Sequence, residues 1–322
     1  MNLSPRPGMR ITTLVPAFKP KYLVELLTSL RNQTVKPARI IFSDDSPDQA
    51  FVAALSNEPL KTVLADLNVC VVPGPRTGAQ DNFSNLLKVW NRETELIHFL
   101  LDDDIIFPSF YERHLLAHSS GRIACSVSRR WTATEAGLPV RDLPVPEAVD
   151  KHGNTLLALG PNLLFSTTVG QSSNWLGEFS NAVFTADLAD TIRDARMDSI
   201  GYIGLQDLGA FLSASLRAPL GYINDHLGYF RMSAQQNSAD PMGRPLKLAH
   251  LAYLGLAIAA RRIGQLTKAQ ADACMATLCP LVTQRYGREA DMAAFCALMP
   301  ELATAAPAAE GRFLDAWGRF AP

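Results

Sequence analysis

His98-Phe99-Leu100-Leu101-Asp102-Asp103-Asp104-Ile105-Ile106-Phe107-Pro108 is the stretch on which the reading of this chain turns. An apolar run without Gly or Pro reads as a buried strand, and this one ends in three consecutive carboxylates. Adjacent like charges repel, and ionised carboxylates leave water only when paired or bound to metal. A core strand that carries three of them to its carboxyl end therefore calls for a cation there. In open α/β sheets ligands bind in the crevice outside the carboxyl ends of the strands. The expectation is that Asp102 and Asp104 hold a divalent cation and that the rest of the chain presents substrate to it. Taken alone, the triplet also reads as a solvated acidic loop.

Upstream, Arg10 to Phe18 is β-branched and apolar and is stopped by Pro16 and Pro20, as a buried first strand would be. Tyr22, Leu23, Leu26, Leu27 and Leu30 then recur at helical spacing. Ala38 to Ser43 forms a second strand, and Asp44-Asp45-Ser46-Pro47-Asp48 places another acidic cluster at its carboxyl end. A helical stretch from Asp48 to Asp66, a strand from Leu67 to Val72, a Gly-Pro loop at 74–78 and a helix from about Asp81 to Asn91 lead to a fourth strand, Ile97 to Leu101. This alternation predicts an α/β fold with a doubly wound, mostly parallel sheet.

Downstream, a helix over Pro108 to Ser119 and a strand over Arg122 to Arg130 are expected. Residues 133–175 are rich in Gly, Pro and Asn and read as long loops and short hairpins, which are usually functional. A strand at Asn181 to Thr185, a helix from Ala186 to Ala195, a helix opened by Gln206-Asp207, and two short strands around Asp225-His226 follow. Asn237 to Pro245 reads as a linker, and Leu246–Ile263, Lys268–Tyr286 and Glu289–Leu298 as Ala- and Leu-rich helices. The domains expected are 1–240 and a helical C-terminal extension, 241–322.

The 322 residues carry a formal net charge of −1, which argues against a nucleic-acid partner. Five cysteines without a Cys-x-x-Cys pair suggest reduced thiols rather than a disulfide framework or structural zinc. Met1 to Arg10 lacks the apolar core of a signal peptide, and Leu246 to Ala260 is too short to span a bilayer. A cytoplasmic protein is expected, with the inner face of a membrane as a possible resting place. His114 and His118 are spaced as zinc ligands can be, but without a third ligand they read as a solvated helix face. Cys274 and Cys279 read as packing residues.

Four motifs in order resemble family-2 glycosyltransferases of the GT-A fold over residues 10–238. They are Pro16-Ala17-Phe18-Lys19, the Leu26–Gln33 helix, Ile40–Ser46, and Phe99 to Pro108. The family pattern is a Pro-x-Tyr/Phe-Asn loop, a Ser-Leu-x-x-Gln helix, an Asp-Asp-Gly-Ser turn and an Asp-x-Asp strand end. The resemblance implies that Pro16, Ala17, Phe18 and Asp45 cradle the base and ribose of a nucleotide-sugar, with Arg76 near the base or diphosphate. It implies Asp102 and Asp104 as ligands of Mg²⁺ or Mn²⁺, Asp103 facing the donor sugar, and Asp207 as general base. His226 is implied as a further metal ligand, with Arg231 and Ser238 in a segment closing over the diphosphate. The turn lacks the family's Gly, since Ser46 and Pro47 follow Asp45. The Gln-x-x-Arg-Trp signature of processive synthases is absent, so one sugar per encounter is expected.

The chemistry divides accordingly. A departing diphosphate gathers charge that a hard cation stabilises, and a positioned carboxylate deprotonates the incoming hydroxyl, worth ~10²–10⁴-fold. Trp175 is a candidate sugar platform, while Glu178 and Asn181 are candidate contacts to a glycan or glycolipid acceptor; Trp131 reads as core. The leading expectation is an inverting, metal-dependent transferase using a UDP-linked or similar donor. The competing classes are a nucleotidyltransferase, a glycoside hydrolase, and a non-catalytic glycan-binding protein on a degenerate transferase fold. The Ala-rich helical tail suits a homodimer contact, an acceptor surface or a membrane surface equally.

Overall fold

In a computed structural model of the protein, residues 8–58, 60–233, 236, 240–304 and 306–321 are described. They form two compact units. The first comprises Met1–Leu159, Leu176–Arg193 and Arg217–Met232; the second comprises Gly160–Trp175, Asp194–Leu216 and Ser233–Pro322. The unit containing 241–322 thus also takes in two earlier segments.

The first unit is built on one sheet. Strands β1 (Ile11–Ala17), β2 (Arg39–Asp44), β3 (Val69–Pro73) and β4 (Leu96–Phe99) lie in the order β3-β2-β1-β4, all parallel. β1, β2 and β4 are buried nearly throughout, as parallel strands covered on both faces are, whereas the edge strand β3 is partly exposed. Helix α1 (Leu23–Arg31) buries Leu23, Leu26, Leu27 and Leu30, a stripe at i, i+3, i+4 and i+7. With Val15, Phe42 and Phe51 these form a core with little exposure. The strand order reverses between β1 and β4, and a crevice opens at such a switch point.

Beyond β4 the sheet becomes mixed. It continues with β5 (Ile105–Ile106), β6 (Cys125–Ala133), β7 (Pro139–Asp142), β8 (Leu156–Leu159), β9 (Ala182–Thr185) and a long strand, Leu220–Arg231. That strand replaces the two short ones expected around Asp225-His226. Bulges between Ile223 and His226 and between His226 and Tyr229 absorb the irregular residues without breaking the pairing to β6. Residues 133–175 are also more ordered than loops: β7 closes a hairpin on β6 and β8 pairs with the long strand. The stretch after Asp48 breaks into two short helices, α2 (Ala50–Leu55) and α3 (Leu60–Leu64). Helices α4 (Ala79–Trp90), α5 (Phe110–Ser120), α6 (Glu147–Asp150) and α8 (Ala189–Asp194) complete this unit.

The second unit is helical, with a two-stranded ribbon, β10 (Arg196–Met197) and β11 (Ile200–Gly201). It holds α7 (Pro161–Thr167), α9 (Gln206–Ser215), α10 (Arg244–Arg262), α11 (Lys268–Tyr286), α12 (Ala293–Ala303) and α13 (Pro307–Phe320). The last was not expected from the pattern. Cys274 and Cys279 are buried in α11, as packing residues would be. No helix among the described residues is long and apolar enough to cross a membrane.

Candidate active site

The carboxyl ends of β1 to β4 bring together the loop after Ala17, the turn at Asp44, the loop from Gly74 to Arg76 and the acidic triplet. Ala17 faces Asp44 in the ladder and its carbonyl accepts from the Asp45 backbone N–H at 2.9 Å. Asp44 turns inward: its carboxylate accepts from the Ser46 backbone and hydroxyl and from the Val52 backbone, fixing the turn. Ser46 lies at φ −69, so the missing glycine costs nothing there; the left-handed residues are Asp48 and Gln49. Asp45 is left partly exposed. Its Oδ1 accepts from the Arg76 backbone N–H at 2.5 Å. Gly74 makes that approach possible, because a Cβ there would stand 2.6 Å from Asp45 Oδ1.

The acidic triplet lies beside this turn. Asp102 Oδ2 accepts from the Phe18 and Lys19 backbone N–H groups at 2.6 and 2.5 Å, which joins the tip of β1 to the end of β4. Phe18 itself is 53% exposed, an aromatic face open above the strand tips. Burial, and then the charge of Asp103, push the Asp102 carboxyl up to about 6 against the pull of those N–H groups. Asp103 Oδ2 is 2.5 Å from Lys19 Nζ. Asp104 is the most buried: Oδ1 accepts from the Arg231 backbone at 3.1 Å, and Oδ2 is buried without a hydrogen-bond partner. Burial and the Asp103 charge raise its carboxyl well above the ordinary range. A small space of about 10 Å³ adjoins it, lined by Arg130, Glu178, Ser180 and Tyr229.

Arg231, expected over the diphosphate, is only 1% exposed and its donors are spent inside the protein. Its Nε donates to the Asp103 carbonyl at 2.9 Å, Nη1 to the Glu135 carbonyl at 2.5 Å, and Nη2 to Glu25 and to Tyr229 at 3.2 Å. It clamps the triplet's backbone instead. His226, expected on the metal, stacks on Trp131 at 4.0 Å with its Nε2 3.0 Å from Asp142. No set of three His, Cys, Asp or Glu side chains among the described residues is arranged to hold a metal ion.

The residues expected to contact an acceptor have partners within the fold. Asn181 is buried, its amide N–H groups bonded to the Ser128 and Leu176 carbonyls and its oxygen to the Glu178 N–H. Glu178 takes a two-pronged bond from Arg130, at 2.8 and 2.5 Å. Trp175 is 3% exposed, and its indole N–H donates to Thr167 at 3.1 Å, so it packs rather than offers a platform. Asp207 stands in the first turn of α9, in the second unit. Ser238 lies outside the described residues. An open cleft of about 590 Å³ between α4 and α8 contains none of the expected residues; Asp190 pairs across it with Arg92 and, within α8, with Arg193.

His114 and His118 are not a solvated face. Both are buried on α5, and His98 is buried beside them. Burial pushes His98 down to about 3 and His118 to about 4, and lowers His114 well below the ordinary value. All three are neutral in the folded protein, whereas unfolded histidine protonates near pH 6.5. A depressed folded value on a base means stability present above pH 6.5 and lost as pH falls through it. The raised carboxyls of Asp102 and Asp104 act in the opposite sense, so a difference measurement is needed. Between pH 7 and 5 the unmodified protein is expected to lose about 2 kcal/mol more unfolding free energy than His118→Gln. Urea titrations at the two pH values check this; equal losses would contradict it.

Residues 12–166 match the family model described as glycosyl transferase family 2. The chain carries a family 2 glycosyl transferase domain. No curated protein matches the sequence. The solved structure of S. aureus TarS 1-349 in complex with UDP-GlcNAc is similar at TM-score 0.53 and 16% identity, covering 96% of this chain and 89% of that one. The mannosyltransferase PcManGT from Pyrobaculum calidifontis, in complex with GDP-Man and Mn²⁺, is similar at TM-score 0.55 and 13% identity, covering 98% and 88%. Against the longer S. aureus TarS structure, at TM-score 0.54 and 18% identity, the transferase covers 89% of itself but spans only 45% of that chain. These likenesses show a GT-A type fold, and the family 2 match over residues 12–166 supports a glycosyltransferase.

Lys19, Arg130 and Ser180 were not foreseen as parts of this region. Lys19 sits inside a quoted motif and carries the signal of a cation next to an acidic strand end. Arg130 has no local signal, because its partner Glu178 is 48 residues away.

Proposed function

We propose that this glycosyltransferase moves one sugar from a nucleotide-diphosphate sugar, UDP-linked in the first instance, to a hydroxyl of a glycan or lipid-linked acceptor with inversion. One observation carries the reading: Phe18, Asp45, Arg76 and Asp102 to Asp104 share one group of strand tips at a switch point. Exposed Phe18 offers a face for a base, and Asp45 an acceptor for a base or ribose donor. Carboxylate oxygens suit a hard divalent ion, and the partnerless buried Asp104 Oδ2 fits such a ligand. Asp102 and Asp104 are the residues that would hold Mg²⁺ or Mn²⁺, which when bound stabilises charge on the departing diphosphate. Asp207 is the proposed base for the acceptor hydroxyl. Single displacement with a base, and no carboxylate nucleophile, inverts the anomeric centre.

Thermal-shift measurements with UDP and GDP, with and without Mn²⁺, test the donor reading. A ligand at about 100 times its Kd stabilises by about 2.7 kcal/mol. A metal-dependent rise in Tm with either nucleotide is expected; no rise with any nucleoside diphosphate would defeat the proposal.

A further inference from the structure

Position 19, where the resembling pattern has Asn, holds a lysine. Its backbone is pinned at the tip of β1 by Asp102, and its ammonium is 2.5 Å from Asp103 Oδ2. Burial alone would lower its pKa; the bond to Asp103, and the charges of Asp103 and Asp102, outweigh burial and raise it. The side chain is 26% exposed, so the ammonium stands at the mouth of the cluster rather than inside it. Arg231, the nearby alternative, directs its guanidinium at backbone carbonyls and Glu25. Among the described residues, Lys19 is the cation whose side chain pairs with a carboxylate of the triplet, on a flexible four-carbon stem.

We propose that Lys19 is a tethered cation of the acidic triplet: it rests on Asp103 in the nucleotide-free enzyme and turns to the diphosphate when a donor binds. This rests on the donor reading above. Two consequences follow from like and unlike charge at short range. At rest, the ammonium repels a divalent ion approaching Asp102 and Asp104, so metal binds weakly before the nucleotide. Once turned, it frees Asp103 and adds attraction to the diphosphate that needs no metal. Lys19 therefore orders the binding events, with nucleotide promoting metal.

The test uses the intact protein, its Lys19→Met and Lys19→Arg variants, and two titrations read by calorimetry: Mn²⁺ alone, and UDP or GDP in EDTA. Lys19→Met is expected to bind Mn²⁺ about 10-fold more tightly without nucleotide and the nucleoside diphosphate in EDTA about 10-fold more weakly. Lys19→Arg, which keeps the charge, is expected to stay within about 3-fold of the unmodified protein in EDTA. Matching thermal transitions confirm that the variants fold, because the pinned backbone N–H is retained in both. If the unmodified protein binds UDP or GDP with Mn²⁺ but Lys19→Met behaves as it does in both titrations, the Lys19 proposal alone falls. If the unmodified protein binds neither nucleotide with Mn²⁺, the donor reading falls and takes this proposal with it.

Discussion

Asp104→Asn is expected to lower sugar transfer about 10³-fold, equivalent to about 4 kcal/mol, while leaving the protein at least as stable as before. Asp104 is 1% exposed, and one of its oxygens is buried without a partner. Its raised pKa means that the fold disfavours the charge there. Asparagine keeps an acceptor for the Arg231 N–H and is neutral, the state that burial favours there. A buried carboxylate whose charged form the fold disfavours is a candidate for a group held for a ligand. Steady-state kinetics beside thermal unfolding check both halves. Transfer at the unmodified rate would remove Asp104 from the site, and a large drop in Tm would recast it as structural. Nucleotide affinity in the variant should also cease to depend on Mn²⁺.

Asp207→Asn is expected to reduce turnover by ~10²–10⁴-fold with nucleotide affinity little changed, as loss of a general base does. The residue begins α9, a helix anchored within the second unit by the close seat of Gly209 on Tyr202, where a Cβ would come within 2.2 Å of the ring. A rigid helix start is a good mount for a base, because its carboxylate has little freedom to wander. An acid in a first turn also favours the helix dipole, so stability needs separate measurement. Loss of turnover with an unchanged Kd for UDP supports the role; full turnover would exclude it. Measuring both substitutions in one preparation separates donor chemistry from acceptor chemistry.

Much of the site was legible because it sits where strands stop. Asp45 and Asp102 to Asp104 follow runs whose β-branched and apolar composition marks buried strands, and parallel pairing of β1, β2 and β4 aligns their ends. The histidines show the limit. Phe110, His114 and His118 lie four residues apart on one face of α5, and Leu115 and Ala117 are buried with them. The apolar members of that face were the available signal that it looks inward. His226 could not be assigned from its neighbours, since bulges in the long strand turn its ring onto Trp131.

What the sequence determined by itself is the succession of strands and helices, and therefore which carboxylates fall at strand ends. Periodicity is a property of consecutive residues, and burial of an apolar face follows from it. Only the tertiary structure decided which polar groups remain available to a ligand. Arg231 reaches Glu25 across 206 residues and Asp103 pairs with Lys19 across 84. A polar atom is free or spent according to what packs beside it in space, and no local pattern records that.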